Sequence, residues 1–288
     1  YSYMPDSDLL AGWSVADGVA ATYTYEPNRN LRTAVVNTFD GDPVSSFAYT
    51  YDAVGRRTQR VDSDAITNVF GYNLRSELVS AAMDTNLYAY AYDTIGNRQQ
   101  ASANEVTNLY EANELNQYTS INEGAIVPNY DADGNMASDG TWAYLWDAEN
   151  RLIEVRPLET NDGVNIVQFM YDFQSRKIGN RTFSWRADKD NWLYGHGHYY
   201  CYDNWNMVCE YMPRFLPRHD IFYRPPTSLS YIGLGGKTNA MYYWGLDLSG
   251  SLQGVGGLLM QNRTDAESSW FYFYNANGNV TDLVDDEG

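Results

Sequence analysis

Apolar and polar residues alternate along most of this chain, so that every second side chain in a short run shares one face, as in strands with a buried and a solvated side. The runs end in a common punctuation. An aromatic, any residue and a second aromatic are followed by Asp or a substitute, two variable residues, Gly or Asn, and then Arg, Asn or Leu. The clearest copies are Tyr49-Thr50-Tyr51-Asp52-Ala53-Val54-Gly55-Arg56 and Tyr90-Ala91-Tyr92-Asp93-Thr94-Ile95-Gly96-Asn97-Arg98. Tyr130-Asp131-Ala132-Asp133-Gly134-Asn135 is a third, and Tyr144-Leu145-Trp146-Asp147-Ala148-Glu149-Asn150-Arg151-Leu152 keeps the pattern with Trp for Tyr. Weaker copies centre on Tyr25-Glu26, Tyr72-Asn73, Tyr110-Glu111, Tyr171-Asp172, Tyr202-Asp203 and Tyr274-Asn275, the last leading into Gly278-Asn279. The second aromatic falls at 25, 51, 72, 92, 110, 130, 146 and 171. A spacing of about twenty residues suits one hairpin and its connection.

The motif has a mechanical reading. Aromatics at i and i+2 lie on one face of a strand. The Asp accepts hydrogen bonds from backbone N–H groups two residues on and starts a turn. Gly or Asn three or four residues later supplies the positive φ of a tight hairpin. Arg or Asn begins the return strand, as in Arg151-Leu152-Ile153-Glu154-Val155.

Roughly ten copies in tandem resemble the YD-repeat or Rhs family, which includes bacterial Rhs proteins, the shells of insecticidal toxin complexes and the teneurin ectodomain. The resemblance runs from about Tyr1 to Asn279 and is strongest from Tyr49 to Arg176. Tyr243-Trp244-Gly245-Leu246-Asp247-Leu248-Ser249-Gly250-Ser251-Leu252-Gln253-Gly254 looks like a stretch found late in bacterial Rhs arrays. Gly254, Gly256 and Gly257 suit a tight bend or a close backbone approach there. The resemblance implies an all-β fold: tandem hairpins forming a long curved antiparallel sheet, part of a spiral hollow shell. Bacterial members often enclose a C-terminal toxin, cut free by an aspartate motif built around Asp-Pro-Xaa-Gly. The Asp-Pro of this chain, Asp42-Pro43, is followed by Val44 and Ser45, so no catalytic residue is expected.

Composition adds detail. Aromatics make up 15% of the chain, with 26 Tyr against 10 Phe; a tyrosine packs its ring on a strand and keeps a hydroxyl for water or a partner. Hydrophobic residues at 44% argue against disorder, and 23 Gly and 9 Pro, scattered, exclude a collagen-like chain. The net charge of −18, with only three Lys among 19 basic residues, repels phosphate backbones and anionic lipid. It suits solubility or a cation-binding surface. No apolar run reaches the roughly 18 residues of a membrane helix. The start at Tyr1 and the end at Asp285-Asp286-Glu287-Gly288 read as cuts through a longer protein, with any targeting segment outside them.

Candidate chemistry is sparse. His196-Gly197-His198 with Cys201 and Cys209 offers zinc-ligand types, but the spacing matches no standard finger, and Cys201 falls on the opposite strand face from both histidines. Cys201 and Cys209 flank a turn at Asp203-Asn204-Trp205-Asn206. A cross-strand disulfide needs an odd-numbered loop there, whereas the simplest four-residue loop pairs Cys201 with Val208. Asp131-Ala132-Asp133-Gly134-Asn135 opens like a calcium loop but has Met136 and Trp142 where Gly and Glu are required. Asp62 with Asp64 and Asp188 with Asp190 sit in polar stretches without the apolar surroundings that raise a catalytic carboxyl. Gly254-Val255-Gly256-Gly257 is no phosphate loop, and there is no nucleophile elbow. Asn180-Arg181-Thr182, Asn262-Arg263-Thr264 and Asn279-Val280-Thr281 are formal glycosylation sequons.

The expectation is a repeat array over 1–204 and an irregular insertion over 205–242, marked by Pro213, Pro217, Pro225, Pro226 and Arg214-Phe215-Leu216-Pro217-Arg218-His219. Further repeat strands with a Gly-rich bend follow over 243–288. Functionally it is a non-catalytic shell or scaffold segment of a large secreted or surface protein, without metal or cofactor, enclosing or presenting an effector. Its sheet edges pair with the rest of its own chain or with other copies. Other readings are a self-assembling extracellular polymer, a glycan-binding adhesin using Trp185, Trp192 and Trp205, and a glycosidase, which needs two carboxylates at a set separation. The pairs Tyr49/Tyr51, Tyr90/Tyr92, Tyr144/Trp146 and Phe169/Tyr171 are expected to stack in ladders at roughly 0.2–1 kcal/mol each.

Overall fold

The computed structural model describes residues 1–15, 18–212, 237–246, 256–264 and 268–287. These residues are all-β, as expected. Their strands, β1 (Ser2–Tyr3) through β24 (Val280–Asp285), form two antiparallel sheets of twelve, β1 to β12 (Tyr118–Ile121) and β13 (Asn129–Tyr130) to β24. In each sheet the spatial order is the sequence order, the outcome of hairpins written one after another. The prolines from Pro213 to Pro226, the run Arg214–His219 and the stretch 247–255 lie outside the described residues. To either side, β20 (Asn206–Met212) pairs with β21 (Lys237–Trp244), Cys209 opposite Met241.

The chain forms two compact units, Tyr1–Glu111 with Tyr243–Gln261 and Ser268–Gly288, and Ala112–Tyr242 with Asn262–Glu267. In the first, Trp13, Val19 and Ala21 pack against Phe271 and Phe273, and the Trp13 and Phe273 rings stack at 6.5 Å. Val35, Phe47 and Tyr49 form a second cluster. Asn37, fully buried among them, donates through Nδ2 to Ser45 Oγ at 3.0 Å and to the Tyr274 carbonyl at 3.3 Å. The Ala276 N–H donates to the Tyr49 hydroxyl at 3.0 Å. In the second unit two of the described charged residues are buried. Buried Glu154 accepts from Gln168 Nε2 at 2.7 Å and pairs with Arg156. Buried Arg181 donates to Tyr199 Oη at 3.0 Å, and Tyr199 stacks on Tyr211 at 5.4 Å. Glu154 is thus paired with an opposite charge, whereas the Arg181 guanidinium meets a neutral hydroxyl.

One irregularity recurs with the motif. The second aromatic sits at a slip in the ladder just before its turn: Tyr51 lies opposite Arg57, Tyr72 opposite Leu78, Trp146 opposite Leu152, Tyr171 opposite Lys177 and Tyr274 opposite Val280. Such bulges bend a strand and increase its twist, so the motif repeats a bend as well as a turn.

Candidate functional site

The repeat turns recur along both sheets, and each is assembled around one side chain. Asp52 Oδ1 accepts from the N–H groups of Val54 (3.1 Å) and Arg56 (2.9 Å), and its Oδ2 accepts from Arg56 Nε at 2.6 Å. Asp93, Asp131, Asp147 and Asp172 repeat this with the backbone at i+2 and i+4 and with the side chains of Asn97, Asn135, Arg151 and Arg176. Where the turn opens with Asn the polarity reverses. Asn73 Nδ2 donates to Glu77 and Asn113 Nδ2 donates to Gln117 Oε1 at 3.0 Å, while each Asn Oδ1 still accepts the two backbone bonds. An acceptor at the head is answered by a donor at i+4, and a donor by an acceptor.

The residue at i+3 is left-handed in every one of these turns: Gly55, Ser76, Gly96, Asn116, Gly134, Asn150, Ser175 and, after Asn275, Gly278. Ser76 (φ 66°) and Ser175 (φ 63°) carry the steric cost that glycine escapes. Ser175→Gly is expected to stabilise the chain by about 0.5–1 kcal/mol, read as a higher urea midpoint at unchanged slope. An unchanged or lower midpoint contradicts the strain.

Turns are tied to their successors. Arg56 Nη1 donates to the Asn73 carbonyl at 3.0 Å, Arg151 Nη1 to the Asp172 carbonyl at 3.0 Å, and Arg176 Nη1 to the Asn204 carbonyl. The same guanidinium groups lie over the next motif tyrosine: Arg56 over Tyr72 at 5.1 Å, Arg151 over Tyr171 and Arg176 over Tyr202, both at 5.3 Å. Lysine cannot bond its own turn, reach the next and lie flat on a ring at once, which accounts for arginine at these positions.

The tyrosines form a second relay. Tyr25, Tyr51, Tyr72, Tyr92, Tyr130, Tyr171, Tyr202 and Tyr274 each donate the hydroxyl to a carbonyl of an earlier strand, those of Leu10, Arg32, Arg57, Leu78, Tyr118, Leu152, Lys177 and Leu258, at 2.6–3.1 Å. Trp146 does the same with its indole N–H, to the Met136 carbonyl at 2.8 Å. Six of these acceptors, Arg32, Arg57, Leu78, Met136, Leu152 and Lys177, are residues that sit opposite the preceding motif aromatic. Among the described residues, the recurring partners of the motif rings are thus carbonyls and guanidinium groups.

Desolvation pushes the turn aspartates up, but bonds from the backbone and from the i+4 side chain outweigh it. Asp52, Asp93, Asp131, Asp147 and Asp172 all sit below the ordinary carboxylate range. A depressed folded value contributes stability above the unfolded value and loses it as pH falls through the folded one. At high ionic strength, which screens the relief of the net −18 charge, the denaturation midpoint is expected to fall progressively below about pH 5. A flat midpoint down to about pH 3 would contradict it.

Not every motif copy behaves alike. Asp203 heads no such turn: it lies opposite Asn206 across a loop of Asn204 and Trp205, with Asn204 at φ 51°. The copy at Tyr110-Glu111 turns on Asn113, and Glu26 pairs with Arg29. Among the other candidates, the His196 and His198 rings lie edge to face at 5.5 Å, and His198 Nδ1 meets Glu210, which also accepts from Asn239 and Tyr242. Both Asp131 oxygens are engaged within their own turn. Asp62 is paired with Arg60. The Trp185 and Trp192 rings meet edge to face at 5.3 Å, and Trp205 is exposed at its loop tip.

No family model matches the chain. It is 31% identical over 121 residues to the tRNA3(Ser)-specific nuclease WapA of Bacillus spizizenii, 38% of this chain and 5% of that protein. It is 31% identical over 99 residues to the tRNA nuclease WapA of Bacillus subtilis, 33% of this chain and 4% of that protein. The chain therefore spans a small fraction of the curated relatives it matches. The crystal structure of TcdB2-TccC3-TEV aligns over 94% of this chain and 14% of its own at a TM-score of 0.64 and 14% identity. That of TcdB2-TccC3 aligns over the same shares at a TM-score of 0.63 and 15% identity. The fold is shared with these structures.

The relay was half visible in the sequence. Phe occupies the first aromatic position at Phe70 and Phe169, but the second is always Tyr or Trp in the copies whose hydrogen bonds are described above. A position that accepts Trp for Tyr while excluding Phe needs a donor as well as a ring.

Proposed function

We propose that this chain is a length of wall in a large bacterial Rhs/YD-repeat protein, secreted or displayed at the cell surface, with no catalytic role of its own and enclosing or presenting an effector domain of the same polypeptide. The observation that carries the reading is the double relay of tyrosine hydroxyls and arginine guanidinium groups. It leaves each repeat incomplete alone, because one of its carbonyls accepts from the tyrosine of its successor and another from the arginine of its predecessor. An array built that way gains stability by extension, as repeat proteins do. The matches to WapA nucleases and the fold shared with TcdB2-TccC3 support the same reading. On it, the outermost strands pair with further sheet of the same polypeptide.

The test is limited proteolysis of the native protein purified from its source. The expected result is a polypeptide far longer than 288 residues whose C-terminal domain resists protease until the repeat region is cut or opened. A native product of about this length, or a C-terminal domain digested as fast as it is when expressed separately, overturns the reading.

A further inference from the structure

We propose that Cys201 and Cys209 are a cross-strand disulfide site, closed when the folded chain meets a small-molecule disulfide. The inference goes beyond the wall reading and does not rest on it. Spacing alone leaves the pairing open, since a four-residue loop sets Cys201 against Val208. The structure chooses otherwise. The loop has two residues, Asn204 and Trp205, with Asp203 opposite Asn206 and Tyr202 opposite Met207. The ladder then slips by one residue at Val208, so that Cys201 of β19 (Asn191–Asp203) lies directly opposite Cys209 of β20.

Residues directly opposite in an antiparallel pair have Cα atoms about 4.5–5.5 Å apart, inside the roughly 4.4–6.8 Å that a disulfide spans. Both cysteines are free thiols whose sulfurs are within hydrogen-bonding reach of each other. Two residues away on the same face, the Tyr199–Tyr211 stack at 5.4 Å holds the strands in this register. Both residues are partly exposed, which lets a small oxidant approach.

The chemistry is thiol–disulfide exchange. Burial raises both thiols, Cys209 to about 11, so each attacks through a small thiolate fraction, and either can begin, Cys201 for instance. Its thiolate bonds to one sulfur of the oxidant, whose S–S bond breaks and releases one thiolate. The Cys209 thiolate then attacks the Cys201 sulfur of that mixed disulfide and expels the second. The two cysteine protons end on the two released thiols: two cysteines are oxidised and one small disulfide is reduced. The bridge pins the β19–β20 hairpin at the position where its register slips.

The experiment incubates the full chain with mixed oxidised and reduced glutathione, quenches with acid, alkylates, and cuts on the N-terminal side of Asp203. The expected product is two hydrogens lighter than the reduced chain, unalkylated at both cysteines, with the peptides on either side of the cut joined until reductant is added. The equilibrium constant for closure should exceed that of the urea-unfolded chain by about tenfold or more. Two alkylatable thiols at equilibrium, glutathione adducts on both, chain-to-chain dimers, or equal closure in folded and unfolded chain each overturn the proposal.

Discussion

Tyr274→Phe is expected to destabilise the chain by about 2 kcal/mol, although it deletes one oxygen. Tyr274 is buried beside the fully enclosed Phe273, and its hydroxyl donates to the Leu258 carbonyl at 2.6 Å. Burial pushes that hydroxyl well above its ordinary value, so it stays a donor. Phenylalanine keeps the ring and the packing but leaves the carbonyl short of a partner in a partly buried site, where an unmet hydrogen bond costs about 1–3 kcal/mol. The same change at Tyr202, whose bond to the Lys177 carbonyl at 2.7 Å is solvent-exposed, should cost under about 1 kcal/mol because water replaces the donor. At Trp146, Tyr should be tolerated better than Phe. Urea denaturation with hydrogen exchange at β22 (Leu258–Arg263) and β23 (Ser268–Tyr274) reads the difference. Equal small losses at Tyr274 and Tyr202 would mean that the tyrosines serve as rings alone.

The parts of this structure legible in sequence are those made within one copy of the motif. Asp52 and Gly55 are three residues apart, so a turn head and its left-handed corner can be read from one window, and strictly consecutive hairpins follow. The relays were not legible, because their acceptors are backbone carbonyls. Tyr51 reaches Arg32 and Tyr171 reaches Leu152, each 19 residues back, and a carbonyl has no letter in the sequence. The bulges hid for the same reason: they are a backbone slip that any residue can occupy. The pairing of Cys201 stays open on counting alone, since a slip at Val208 changes which residues face each other. Asn113 is hard to read as a turn head because the aromatic of its copy, Tyr110, lies three residues earlier instead of one. With that copy realigned, the exchange of Asp–Arg for Asn–Glu or Asn–Gln becomes visible without coordinates.

That exchange carries a second large effect. Asp172→Asn is expected to cost about 2 kcal/mol. The backbone N–H groups of Gln174 and Arg176 hold Oδ1 at 2.9 and 3.0 Å, so the new amide cannot flip. Its Nδ2 is left facing Arg176 Nε, donor against donor, where Asp172 Oδ2 had accepted at 2.7 Å. Arg176→Gln alone also destabilises, since it gives up the bond to the Asn204 carbonyl and the contact with Tyr202. The two losses should not add. In the double variant the amide nitrogen introduced at position 172 finds an amide oxygen at position 176, the arrangement already present at Asn113 and Gln117. The pair should therefore cost less than the sum of the single changes by about 1 kcal/mol or more. Additive losses would show that the head and the i+4 residue act independently, and the matched polarity along the chain would then have no energetic basis. A coupling of the expected size would make the turn a two-residue lock whose polarity can be reversed as a pair but not half-changed.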